Sequence, residues 1–199
     1  MELILIRHGL PEHVRVPGGR ADPPLTERGW AQSQRVAEWL HEGRAGPRVD
    51  AIYASTMRRA RETSEPTARL LEHEVQLHEG IVEYDRNASE YMPMEQLKRT
   101  NYARWKEMAE AGFTGDVELA EFGTTVIGAL EGIIARHKGE RVAVFCHGGV
   151  INVWASHVLG IAPKMFFEPD YTSIHRFLCA GTGQRNVVSL NERAHLHGL

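Results

Sequence analysis

Cysteine is scarce in this chain of 199 residues: Cys146 and Cys179 are the only two, and they lie far apart. They define neither a disulfide framework nor a Cys-x-x-Cys motif, so a reducing, cytoplasmic setting is expected. Positive charge is not in surplus. Lys and Arg number 23 against 26 Asp and Glu, a formal charge of −3, which excludes the basic footprint of a nucleic-acid binder. No apolar run approaches the ~20 residues needed to cross a bilayer. Met1-Glu2 leads straight into a strand-like segment, leaving no room for a basic stretch ahead of an apolar one. Neither a membrane span nor a secretory signal is therefore expected. The phosphate loop Gly-x-x-x-x-Gly-Lys-Ser/Thr is also missing, which removes the P-loop nucleotide hydrolases. Internal repeats and low-complexity segments are lacking.

What is present suits a globular domain. Hydrophobic residues make up 42% and charged residues 25%, ordinary values for a chain with a sizeable core. The length fits one domain, residues 1–199. Short apolar runs alternate with helical patterns. "ELILIRH" reads as a strand buried on both faces, and "GLPEHVRVPGGRADPP" as a loop. Thr26 is a natural N-cap for a helix over "ERGWAQSQRVAEWLHEG", with Trp30, Ala37 and Leu40 on one face and Gly43 as its stop. "VDAIYAS" is a second strand and "TMRRARETSEPTARLLEH" a helix, which Pro66 should kink. "MEQLKRTNYARWKEMAEAG" looks helical and is broken at "FTGD". "VELAEFGTTVIGALEGIIARHKG" is a longer helix with Val126, Leu130, Ile133 and Ile134 on its apolar side. "RVAVFCHGGVINVWASHVLG" reads as strand, glycine turn and helix. "SIHRFLCA" and "RNVVSLNE" are two more strands. This alternation predicts an α/β fold, a three-layer α/β/α arrangement on a mainly parallel sheet. Residues 84–123 read as an inserted cap.

The polar residues gather at strand ends. "LILI" runs directly into Arg7-His8-Gly9, and "RVAVFC" into His147-Gly148-Gly149. In open α/β sheets ligands bind beyond the carboxyl ends of the strands, so two histidines are expected at one edge. The turn after His147 opens a helix, whose free N–H groups and dipole suit an anion. "AIYAS" ends at the same edge ahead of Arg58 and Arg59. Cations at a helix start oppose its dipole and call for a compensating anion, and arginine grips phosphate bidentately.

In order along the chain, "LIRHG", "DPPLTERGWAQ", "IYASTMRRARET" and "VAVFCHGGVI" resemble the signatures of the histidine phosphatase, or phosphoglycerate mutase-like, superfamily. The resemblance spans residues 3 to about 151, with weaker similarity in "YTSIHRF" and "VVSLNERAHL". It implies a phosphomonoester hydrolase with His8 as nucleophile, Arg7 and Arg59 as phosphate ligands, and His147 as a further donor to the phosphoryl oxygens. The family arginine aligns with Arg59 rather than Arg58. The general acid is expected in "LHEGIVEYDRNASEY", among Glu79, Glu83, Asp85 and Glu90. The family pattern points to Glu83, with Glu79 as the fallback. A phosphate anion should favour a protonated His147.

Mutases of the family carry an asparagine where Val14 stands, and no paired-arginine segment of the mutase kind occurs in the cap. Both departures favour a phosphatase over mutase-type transfer, and the intact His8, His147, Arg7 and Arg59 argue against a phosphate-binding protein without activity. "LPEH" also departs from the usual sequence after Arg-His-Gly. Asn152 stands where a cysteine phosphatase would need arginine, and strand alternation turns Cys146 away from His147 into the core. His8, His13 and His147 could be considered metal ligands, but Arg7 and Arg59 beside them would repel a cation, so neither metal nor cofactor is expected. The expected partner is a small-molecule phosphomonoester. His13, Arg15, Arg20, Tyr91, Met94 and Trp105 are candidates for lining its pocket. A homodimer is left open.

Overall fold

The computed structural model describes residues 1–110 and 119–199. The chain runs β1 (Glu2–Arg7), β2 (Val14–Arg15), α1 (Glu27–His41), β3 (Ala51–Ser55), α2 (Arg58–Leu71), β4 (Val75–His78), β5 (Glu90–Tyr91), α3 (Met94–Thr100), α4 (Tyr102–Glu110), α5 (Leu119–Arg136), β6 (Arg141–Cys146), α6 (Gly148–Leu159), β7 (Ile174–Cys179) and β8 (Arg185–Glu192). Six strands form the main sheet in the order β4-β3-β6-β1-β7-β8. The first four are parallel, and β7 and β8 run antiparallel to their neighbours.

The apolar runs of β1, β3 and β6 are buried throughout because helices cover both faces of the sheet. Side chains alternate between the two layers, as the period of a strand requires. Leu3, Leu5, Val142, Val144 and Cys146 join Val126, Leu130 and Ile133 of α5 and Trp154 of α6. Ile4, Ile6, Ala143 and Phe145 join Val36 and Leu40 of α1 and Leu71 of α2 on the other side. This is the expected three-layer α/β fold on a mainly parallel sheet. No helix among the described residues is long and apolar enough to cross a membrane.

Thr26 caps α1 as expected, its hydroxyl accepting from the Gly29 amide at 2.9 Å. The buried stripe of α1 differs from the expected one. Trp30 is 36% exposed, and the core face is formed by Gly29, Gln32, Ser33, Val36, Ala37 and Leu40. Backbone proximity explains the shift: a Cβ on Gly29 would lie 2.2 Å from the Leu10 carbonyl oxygen, and one on Gly9 would lie 2.6 Å from the Gly29 oxygen. Only glycine lets the loop after His8 lie directly on the first turn of α1. The helix α2 continues through Pro66 to Leu71. The segment expected as one helix after Pro93 divides at Asn101, whose side chain accepts from the Arg104 amide at 3.1 Å. The break at Phe113–Asp116 and the start of the long helix at Val117 lie outside the described residues. Three short strands escape the sequence pattern: β4, which pairs parallel with β3 at the sheet edge, and β2 and β5, which pair antiparallel, Val14 with Tyr91 and Arg15 with Glu90.

Gly29→Ala should cost about 1–3 kcal/mol, the range for forcing atoms into a filled site. At ~2–4 °C per kcal/mol for a chain of this size, thermal denaturation should show a clear drop in Tm. A wild-type Tm would show that the Leu10 loop yields freely.

Candidate active site

The register of β1 and β6 brings the two histidines together. Arg7 pairs with Cys146, and the His8 amide donates to the Cys146 carbonyl at 3.0 Å. The His8 and His147 rings lie 5.2 Å apart between centroids. His8 is 2% exposed. Its Nδ1 lies 2.8 Å from the Gly9 carbonyl oxygen, a partner that only accepts. A neutral ring therefore carries its proton on Nδ1 and its lone pair on Nε2. Burial, then Arg59 and Arg7, hold the His8 pKa well below the usual histidine value.

Arg7 donates from Nη1 to the Pro169 carbonyl and stacks on Tyr171, with its Cζ 4.1 Å from the ring centre. Arg59 is fully buried. Its Nη2 reaches Asp85 at 2.9 Å, and its Cζ lies 4.5 Å from the centre of the Tyr91 ring. The Nε of Arg7, the Nε and Nη1 of Arg59 and the Nδ1 of His147 are buried without a hydrogen-bond partner among the described residues. Buried polar groups are normally satisfied, so a cluster of orphaned donors beside one lone pair marks a place for an anion. Nε2 of His147 lies 2.8 Å from Ser55 Oγ, which also accepts from the Met57 amide at 3.3 Å. The Ser55 proton is then free to point at Nε2, which leaves Nδ1–H of His147 as a donor. Burial, then Arg59, His8 and Arg7, push the His147 pKa well below its usual value. The expected protonated His147 is thus disfavoured in the protein alone, and the neutral ring already presents the needed N–H.

Glu83 lies inside the site and Glu79 outside it. Glu83 is 7% exposed; its two oxygens accept from the Gly149 amide at 2.8 Å and the Tyr84 amide at 3.1 Å. Burial, then the neighbouring Asp85, raise its pKa to about 7, against the pull of the two amides and Arg59. The anion taken by the start of α6 is accordingly this carboxylate. Glu79 is exposed and paired with Arg86 at 3.1 Å, so the fallback acid is displaced. Arg58 likewise points away. Its amide donates to both oxygens of Asp22 at 2.9 and 3.1 Å and its Nε pairs with Glu62 at 2.7 Å, so carboxylates supply the anion that the start of α2 calls for.

A cavity of about 290 Å³ opens over these groups, lined by Arg7, His8, Arg59, Glu83, Tyr91 and Met94 among others. Glu90 also lines it and holds His13 at 3.0 Å. His13 itself lines the neighbouring cavity. Arg15 and Arg20 are exposed and line neither of the two. Trp105 stacks on Tyr102, with ring centroids 5.6 Å apart, away from the lining. No group of three or more His, Cys, Asp or Glu among the described residues could hold a metal ion.

Sequence reasoning missed the supports. Asp85 was weighed only as an acid, and Ser55 and Tyr171 were not singled out. The loop before β7 carries a further signal: Thr172 adopts φ 57°, strained for a β-branched residue. In that conformation its amide donates to the carbonyls of Arg7 and His8 at 3.1 and 3.3 Å.

A model of the histidine phosphatase superfamily (branch 1) matches residues 3–193. Phosphoserine phosphatase 1 of Hydrogenobacter thermophilus is 29% identical, over 98% of this chain and 94% of its own. Phosphoglycerate mutase-like protein 4 of Arabidopsis thaliana is 28% identical, over 76% of this chain and 68% of its own. The phosphoserine phosphatase of Entamoeba histolytica, solved with 3-phosphoglyceric acid, superimposes with a TM-score of 0.73 at 24% identity, covering 98% of both chains. The match runs from β1 to the end of β8 and takes in both histidine-bearing strand ends, so the chain belongs to branch 1 of the histidine phosphatase superfamily.

Proposed function

We propose that this protein hydrolyses phosphomonoesters through a phosphohistidine on His8. The observation that carries the reading is the set of orphaned donors on Arg7, Arg59 and His147 around the free Nε2 of His8. In the first step the Nε2 lone pair attacks phosphorus, the P–O bond to the alcohol breaks, and Glu83 gives its proton to the departing oxygen. In the second, water attacks phosphorus, its proton passes to the Glu83 carboxylate, and the P–N bond returns its electrons to His8. One hard displacement becomes two easier ones. The arginines and His147 meet the charge on the equatorial oxygens. Within one domain spanning 1–199, the described part of the 84–123 segment acts as a cap over this site and supplies Asp85 and Tyr91 to Arg59, residues 111–118 lying outside the described residues.

Hydrolysis is favoured over mutase-type transfer. Val14, at the position of the mutase asparagine, is engaged with Tyr91 in the β2–β5 pair. Phosphate release should therefore outpace interconversion of 2- and 3-phosphoglycerate; the reverse ratio would select the mutase. Turnover should also survive dialysis against a chelator, since its phosphate ligands are cationic side chains; loss restored by a divalent ion would refute this.

His8→Ala should abolish turnover while the protein stays folded, and His147→Ala should lose ~10²–10³ in kcat, the cost of one oxyanion donor. After rapid quenching with labelled substrate, peptide mapping should place an acid-labile, base-stable phosphoryl group on "LIRHG". Label elsewhere, with His8→Ala still active, would end the reading.

The Glu83 pKa of about 7 sets a pH profile. The carboxyl is protonated below that value and loses its proton above it. For an alkyl phosphate, kcat/KM should therefore fall as pH rises through about 7, whereas 4-nitrophenyl phosphate, whose leaving group departs unprotonated, should keep its rate. Glu83→Gln should lower the alkyl rate by ~10²–10⁴ and the nitrophenyl rate far less. Equal losses on both substrates would reduce Glu83 to a structural role.

A further inference from the structure

The walls of the catalytic cavity divide by chemistry. One part is polar, formed by Arg7, Arg59 and the neutral His8. Another is apolar and comes from two separate segments: Met92, Met94 and Leu97 from the cap, and Met165 and Phe167 from the loop between α6 and β7. Three of these five side chains are thioethers, which adapt to varied apolar shapes.

Charge on the lining narrows the possibilities. Glu83, Asp85, Glu90 and Glu168 all border the cavity, and beyond Arg7 and Arg59 the further cation among its described lining residues is Arg104. Arg104 lies close enough to Glu90 to stabilise that carboxylate. A substrate carboxylate would thus find its cations committed and acids nearby. The acids are themselves engaged: Asp85 on Arg59, Glu83 on two amides and Glu90 on His13. Glu168 is exposed and held by no ion pair among the described residues, with Glu95 and Asp170 as well as Arg7 and Lys98 around it. A substrate ammonium would thus find three of the four acids already held.

Resting on the phosphatase reading above, we infer that the alcohol part of the substrate is an uncharged, apolar group lodged against Met92, Met94, Leu97, Met165 and Phe167. This separates the protein from its phosphoserine phosphatase relatives. Phosphoserine carries a carboxylate and an ammonium, and these five side chains offer partners for neither.

Binding of non-hydrolysable phosphonates, followed by calorimetry, tests the inference apart from catalysis. From methyl- to butyl- to hexylphosphonate, Kd should fall about fourfold per methylene buried until the wall is covered. Butylphosphonate should bind at least tenfold more tightly than 3-phosphonopropionate or 3-aminopropylphosphonate. Met94→Lys and, from the other segment, Met165→Lys should each flatten the alkyl series, with circular dichroism confirming that the variants are folded. A flat series in the wild type would overturn the inference. So would tighter binding of the carboxylate or ammonium analogue, or an alkyl series unchanged in both folded variants. Hydrolysis of hexyl phosphate, assayed in parallel, reports on the phosphatase reading separately. A steep binding series without phosphate release would sink that reading and keep the apolar site.

Discussion

The parallel pairing of β1 with β6 is the constraint on which the site depends. It ends the two central strands at the same level, Arg7 opposite Cys146, so the residues that follow emerge side by side. Each strand is buried on both faces and has little freedom to slip, because a one-residue shift would exchange the core-facing sets of side chains. The 5.2 Å separation of the two imidazoles is therefore set by sheet register, a far stiffer device than a pair of loops. The glycine contact between the loop after His8 and α1 fixes the remaining direction.

This rigidity matters because the site is electrostatically uncomfortable. Two guanidinium groups and two imidazoles share a buried volume, and among the described residues only Asp85 forms an ion pair with either arginine. Burial and the field of the arginines keep His8 neutral and so keep its lone pair available. The same field draws down the pKa of Glu83, yet burial and Asp85 more than offset it and leave the carboxyl near neutrality. One acid beside Arg59 thus serves as its counterion, while its neighbour two residues away, the proposed proton donor, is held near neutrality. That division of labour between adjacent carboxylates comes from burial and hydrogen bonding rather than from residue type.

The parts of the site carried by local patterns were legible in the sequence. An apolar run that stops at Arg7-His8-Gly9, and another that stops at His147-Gly148-Gly149, announce both strand ends and their loops. The alternation of strands and helices gave the layers. Less legible were the groups that arrive from a distance. Tyr171, Thr172 and Pro169 reach Arg7 and His8 because β7 runs antiparallel to β1, which brings the start of β7, not its end, to the ligand edge. Strand direction is a tertiary property, and nothing in "SIHRFLCA" encodes it locally. The β2–β5 pair is too short to leave a period. Trp30 was misplaced because the helical pattern counts apolar residues, whereas the buried position belongs to Gly29, chosen for the absence of a side chain.

The place of β1 in the sheet has a consequence for synthesis. Ile4 pairs with Ala143 on one side and Arg176 on the other, so the strand bearing the proposed nucleophile is made long before either neighbour. At ribosomal rates of roughly 5–20 residues per second, "LILI" waits for many seconds without a sheet to enter. Pairings so distant along the chain also fold slowly. During that interval the nascent segment is an unpaired, strongly apolar strand, the kind of sequence that chaperones bind and that aggregates when they do not. The arrangement that buries β1 between two neighbours in the finished protein leaves it exposed in the growing chain.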